Sequence, residues 1–276
     1  MCIVFEPAEL TGTKLYIGKG VRDAKEVHVL GYQNTVKTLS GPNCMLLHFP
    51  TASPMTPDNV VDTSECPDLM DELVKAAKPK SRGIAKSFAV CAGSSPDTHV
   101  FDHDIYTIIL TNKAADLKKA LEQVPEARRP KIQLSLILFY ARNFKDHSFA
   151  LCCFDNQLTK EANPLLWWYE PSNPDTLMAP GLDSHTGYAP DLKSPVDVDH
   201  WVITGTSKTE EIGNDYMKMN KVHYTDPVSG ELEGLLPEYV IGRQYNGKLK
   251  NGDFVVKPDI LSETKNVTFD RVSPTT

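Results

Sequence analysis

The chain has 276 residues, 41% of them hydrophobic and 24% charged, with a formal net charge of −7. That is length for one large domain or two small ones. The acidic balance, with no basic cluster richer than 78–82 or 128–131, argues against a nucleic-acid partner, because phosphate contacts need a basic face.

The first third reads as an antiparallel β meander: residues 2–5, 13–18 and 26–36 are short runs rich in Ile, Val, Leu and Tyr, separated by glycines. Gly41-Pro42-Asn43 signals a turn, and the run from Cys44 to Phe49 is apolar without alternation, as for a central strand buried on both faces. After a polar loop, Leu69, Met70, Leu73, Val74 and Ala77 repeat at three and four, predicting a helix over 67–77 that ends at Lys78-Pro79. Strands follow at 84–91 and 100–110, the latter placing Asp102 and Asp104 on one face and His103 on the other.

A second helix is predicted over 114–124, with Leu117, Ala120, Leu121 and Val124 on one face. Residues 130–142 alternate like a strand and also repeat like a helix; length and the leading Pro130 favour the helix. Strands are predicted at 148–154, 165–169, 176–178 and 197–206. Asn246-Gly247 and Asn251-Gly252 read as turns joining short strands. The expected architecture is α+β: largely antiparallel sheets with two or three helices, a main domain over 1–206 and a small β-rich extension over 207–276 packed on it.

No window approaches the roughly 18 apolar residues of a membrane span, and no basic segment followed by an apolar one opens the chain. A cytoplasmic protein without a membrane partner is expected. The six cysteines include no C-x-x-C pair, so reduced thiols are the default and a structural zinc site is not expected.

Chemistry concentrates at two places. Met1-Cys2 puts a thiol directly behind the initiator, and removal of the methionine would leave one residue carrying a thiol nucleophile and an α-amine whose ordinary pKa is about 7.7–8.0. Cys2 equally suits a small apolar position in an edge strand. Asn34 and Asn43, near strand ends, could donate to an oxyanion. The second place is Asp183-Ser184-His185-Thr186-Gly187 together with Asp199-His200, which could bind a divalent metal, act in proton transfer or substrate binding, or simply hold a loop. Trp167 offers a stacking surface and also suits a core position. The motifs of the commoner serine hydrolases, phosphate-binding loops, dinucleotide folds and zinc proteases are absent from the sequence.

Met1-Cys2 opening a strand ahead of antiparallel strands and a helical pair resembles the cysteine branch of the N-terminal nucleophile hydrolases. More narrowly, the chain resembles a family of microbial and viral proteins that open with Met-Cys. These carry a strand like 44–50 and a later block with a histidine, a glycine and an Asp-His pair, as in Asp183 to Gly187 and Asp199-His200. The superfamily resemblance implies an αββα sandwich and hydrolysis of a non-peptide amide. Cys2 would then be the nucleophile, and Arg22-Asp23 lies at the distance where the acylases of that superfamily carry an arginine and an aspartate.

The expected function is thus an amidohydrolase with Cys2 attacking, Asn34 or Asn43 holding the oxyanion, and His185, Asp199 and His200 shaping the site. Asp183, Trp167 and Arg22 would contact substrate. No cofactor is expected, the partner is a small-molecule substrate or ligand, and a homo-oligomer is left open. Two alternatives remain: a non-catalytic factor that sequesters a small molecule or a protein, and a metal-dependent enzyme centred on His185 and His200.

Overall fold

Period-two alternation along the strands decides the layering. The structure, a computed structural model, describes residues 3–4, 9–37, 41–78, 98–156, 162–206, 219–226, 228, 230–257 and 267–274. A five-stranded sheet contains β1 (Ile3–Val4), β4 (Pro42–Phe49), β6 (Thr98–His103), β7 (Tyr106–Thr111) and β8 (Ser148–Asp155), in the order β1-β4-β8-β7-β6. On β4, Met45, Leu47 and Phe49 face one way and Cys44 and Leu46 the other; on β8, Ala150, Cys152 and Phe154 oppose Phe149, Leu151 and Cys153. Both sets are buried, which accounts for the unbroken apolar runs of these two strands.

A seven-stranded sheet contains β2 (Glu9–Arg22), β3 (Lys25–Lys37), β5 (Val60–Val61), β9 (Leu165–Tyr169), β11 (Pro195–Thr206), β12 (Asn220–Lys221) and β13 (Tyr239–Lys250). Its order is β12-β13-β11-β2-β3-β9-β5. Leu15 and Ile17 of β2, Leu30 and Tyr32 of β3 and Trp167 of β9 share one core with Met45, Leu47 and Phe49, so this sheet packs against the first. Its other face, Tyr16, Val27, Val29, Leu166 and Ile203, is covered by α1 (Leu69–Ala77) through Leu69, Met70, Leu73 and Val74. The outer face of the five-stranded sheet is covered by α2 (Leu117–Ala120) and α3 (Leu134–Asn143). The apolar clusters therefore run helix, sheet, sheet, helix. The fold is α+β with mostly antiparallel pairing, and β11 is parallel to β2.

A third sheet, β10-β14-β15, joins β10 (Leu177–Ala179), β14 (Asp253–Val256) and β15 (Asp270–Val272). Its inner face, Leu177, Ala179, Phe254 and Val256, enters the core between the two large sheets. Strands from both sides of residue 206 thus share sheets: β11 pairs with β13 from Pro195↔Lys250 to Thr206↔Tyr239.

Local differences from the sequence expectation have local causes. The strand expected over 100–110 is a hairpin, β6 to β7, because Asp104 adopts φ 50 and reverses the chain. Asn246-Gly247 lies inside β13, held by the ladder to β11, with φ 92 at Gly247. The turn falls at Asn251-Gly252. The helix expected over 114–124 is α2 flanked by 3-10 turns at Ala114–Asp116 and Leu121–Gln123, although its apolar face is buried as expected. The strand expected at 84–91 lies outside the described residues. Among the described residues no helix is long and apolar enough to cross a membrane.

One glycine measures how tightly the later strands are locked in. A Cβ on Gly205 would stand 2.5 Å from the Tyr239 carbonyl oxygen and 2.8 Å from Pro237 Cβ. Backbone cannot yield as a flexible side chain does, so Gly205→Ala is expected to destabilise by about 1–3 kcal/mol in urea unfolding. A neutral result would mean that β13 is not held against β11 as described.

Candidate functional site

Alternation on β11 sends Val198, His200 and Val202 inward and leaves Asp197 and Asp199 facing solvent. Asp199 and His200 are neighbours in sequence that point to opposite sides. The Asp199 carboxylate accepts from the Gly12 amide at 3.3 Å and from Gln244 Nε2 at 3.4 Å, which ties it to the flanking strands. His200 is buried, with its ring 6.2 Å from that of Phe254.

The loop after β10 is clamped by Asn251. Its Oδ1 accepts from the Asp183 amide at 2.8 Å, and its Nδ2 donates to the carbonyls of Asp183 and Asp191. The clamp sets the Asp183 carboxylate 3.4 Å from His185 Nε2. Burial pushes the Asp183 carboxyl above the usual carboxylate range, against the pull of His185 and Arg271. Asp183, His185, Asp197, Asp199 and His200 line one depression of about 200 Å³.

The other expected residues do not line that depression. Asn34, on β3, donates from Nδ2 to the Tyr32 hydroxyl at 2.9 Å, and Asn43, on β4 in the other sheet, accepts from the Cys44 amide at 2.9 Å; both are buried. Trp167 is buried between the large sheets, 5.3 Å from the Phe49 ring. Arg22, at the end of β2, pairs with Glu231 at 3.2 Å and lies over Trp168 at 5.5 Å. Cys2 lies outside the described residues. Among the described residues, no three His, Cys, Asp or Glu side chains are disposed to hold a metal ion.

A second polar constellation escapes a reading of the sequence. His48 of β4 sits in the core, within a chain of three titratable groups. Its Nε2 is 3.3 Å from Asp253 Oδ1, and its Nδ1 is 3.0 Å from Nδ1 of His147. A carboxylate only accepts, so His48 donates from Nε2 to Asp253. The same carboxylate oxygen accepts from the amides of Gly181 at 2.8 Å and Leu182 at 3.1 Å. Burial alone would raise the Asp253 carboxyl; His48 and the two amides outweigh it and hold the group below its ordinary value. His147 is pushed down to about 3, first by burial and then by His48.

This chain of groups sits under an open trough of about 570 Å³. The floor is the outer face of the small sheet, with Met178, Val255 and Val272; the wall is the end of α3 and the turn after it, from Arg142 to His147. Only the singular His48 within an apolar run signals it in sequence, because its partners lie 99 and 205 residues away.

No family model matches the chain, and no curated protein matches it. Among solved structures the chain is similar to baculovirus P35, at 13% identity over 94% of this chain and 92% of that chain, with a TM-score of 0.45. It is also similar to a mutated baculovirus P35 after caspase cleavage, at 12% identity over 90% and 91% with a TM-score of 0.41. A further similarity is to the caspase-8/P35 complex, at 11% identity over 90% and 87% with a TM-score of 0.39. The expectation of a small-molecule partner at His185 and His200 is corrected here: the depression they line, about 200 Å³, falls below the roughly 300–1,000 Å³ of pockets that enclose small ligands. The partner named in that complex is a protein, caspase-8.

Proposed function

We propose that the protein is a non-catalytic factor that acts by binding another protein. The observation that carries this reading is on α3, where Leu134 and Leu138, one helical turn apart, are each 58% exposed. Large aliphatic side chains adjacent on one helix row are a costly surface for an isolated domain and a useful one for an interface. The polar residues expected to serve an acyl transfer support the same reading, since Asn34 and Asn43 are engaged within different sheets. We place the protein in the cytoplasm, where cysteines spread along a chain without C-x-x-C spacing are ordinarily reduced.

The test is co-purification of the full-length chain from the cells that express it, followed by size-exclusion chromatography with light scattering. A stoichiometric protein complex is the expected result. A chain that elutes alone at 30.7 kDa at every concentration overturns the reading. Caspase-8, the partner in the complex described above, is a defined protein to add in a parallel run.

A further inference from the structure

The chain of groups beneath the trough decides what a nitrogen on its wall can do. A neutral imidazole carries a single N–H. His48 spends its own on Asp253, so its Nδ1 is a lone pair, and the 3.0 Å contact between the two rings is made by the N–H of His147 Nδ1. His147 is left with a lone pair on Nε2. The two nitrogens of an imidazole point to opposite sides of the ring, so this one looks away from His48. His147 is partly exposed and lines the trough, and among the described residues no group bonds its Nε2. Burial and His48 hold the ring down to about 3, which keeps it neutral, and therefore accepting, at neutral pH.

Charge selects nothing in this trough, because Arg142 and Lys145 are matched in the same lining by Asp146 and Asp253. Much of the remaining surface is apolar, with Pro50, Phe144, Met178, Val255 and Val272. The volume of about 570 Å³ is ample for one bulky side chain and the chain that carries it. A hollow with an apolar floor, offset charges and an acceptor fixed by two buried groups matches a side chain with a large apolar body and one neutral donor. Tryptophan has that chemistry: its indole N–H donates and cannot accept, and its rings suit methionine sulfur and aliphatic walls.

We propose that the trough receives a tryptophan side chain of a partner protein, the indole N–H donating to His147 Nε2 and the rings lying on Met178 and Val255. Anchors of this kind carry much of the binding energy of an interface when they fill a pocket on the other side. Leu134 and Leu138 stand on the α3 row that reaches the trough at Arg142, so the anchor and the exposed leucines belong to one continuous face. The inference rests on the protein-binding reading above and names the pocket and the group it holds.

Three short acetylated and amidated peptides test it, identical except for a central tryptophan, 1-methyltryptophan or phenylalanine, titrated calorimetrically into the full-length chain at about pH 8. The tryptophan peptide is expected to bind about tenfold tighter than the other two, since the methylated ring has the same body but leaves the acceptor unpaired. His147→Phe keeps a ring in place without the acceptor and should bring the three affinities together, with an unchanged melting temperature confirming that it folds. Should it not fold, nitrogen-15 spectra of the wild-type histidines give the answer: His147 Nε2 is unprotonated in the free chain and is shifted by the tryptophan peptide but not by its methylated form. Equal affinity for the three peptides, a preference that survives in His147→Phe, or a proton on Nε2 at that pH overturns the proposal. The co-purified complex separates the two readings. If it forms equally well with His147→Phe, the docking site is wrong and protein binding stands; if the wild-type chain forms none, the protein-binding reading itself fails.

Discussion

Asp253→Ala is expected to cost about 3 kcal/mol of unfolding free energy, since each buried donor left without its acceptor costs about 1–3 kcal/mol. The carboxylate is buried, and its Oδ1 is shared by His48 and the amides of Gly181 and Leu182. Alanine leaves three buried donors facing a void, in a place where β14, the loop after β10 and β4 meet. Asp253→Asn retains an oxygen for the two amides while removing the charge opposite His48, so a smaller loss is expected. Urea unfolding of the three proteins at neutral pH measures both differences. A cost below about 1 kcal/mol for alanine would mean that solvent reaches the site and that the hydrogen-bonded group contributes no more than an ordinary surface pair.

Acidification should unfold the protein through its buried histidines. His147 is held down to about 3, by burial and then by His48, with Asp253 opposing. His28 is held down to about 4, by burial first and by Lys19, against the Pro174 carbonyl and Glu26. In the unfolded chain both titrate near 6.5, so above that pH neither state binds the proton and the two rings leave stability unchanged. Between about 6.5 and 4 the unfolded state takes up protons that the folded state refuses. Stability then falls by up to about 1.4 kcal/mol per pH unit for each ring. Asp253, held below its ordinary value, adds a further loss only at lower pH, as the folded carboxyl itself is protonated. Glu72 and Asp183, both raised, act in the opposite sense and flatten the acid end. Urea unfolding at pH 7, 6 and 5 should therefore show falling stability, and His147→Gln should remove part of the slope, with His28 and His103, also held down by burial, keeping the rest. Constant or rising stability over that range would contradict the neutral burial of these rings.

Much of the layering can be read from the residues alone, because burial leaves a signature in the pattern. The unalternating Cys44 to Phe49 run marks a strand covered on both faces, and the repeat of Leu69, Met70, Leu73 and Val74 marks the helix that covers the larger sheet. The ambiguous stretch before Asn143 is helical because Leu136, Ile137 and Tyr140 then share one buried face. The pairing of β2 with β11 has no local signature, since it joins residues such as Thr13 and His200 in parallel register. Nor does the Asp253–His48–His147 chain, which only the assembled sheets bring together. At Asn246-Gly247 a strong local turn preference gives way to a long ladder, an instance of tertiary pairing prevailing over propensity.

Similar reasoning explains how the candidate residues divide. Asp183 and His185 share one clamped loop, and Asp199 and His200 share one strand beside it, so sequence proximity carries much of their geometry. Asn34 and Asn43 are nine positions apart in sequence but belong to different sheets, Asn34 to β3 and Asn43 to β4.

The position of β11 between β2 and β13 has a consequence for biosynthesis. The meander of β2 and β3 leaves the ribosome with its principal neighbour still some 160 residues from being made, and that neighbour must then wait for β13 to cover its own far side. Nascent chains therefore carry this sheet without its later neighbours through most of translation, an interval in which unpaired strand edges and open apolar surface favour aggregation.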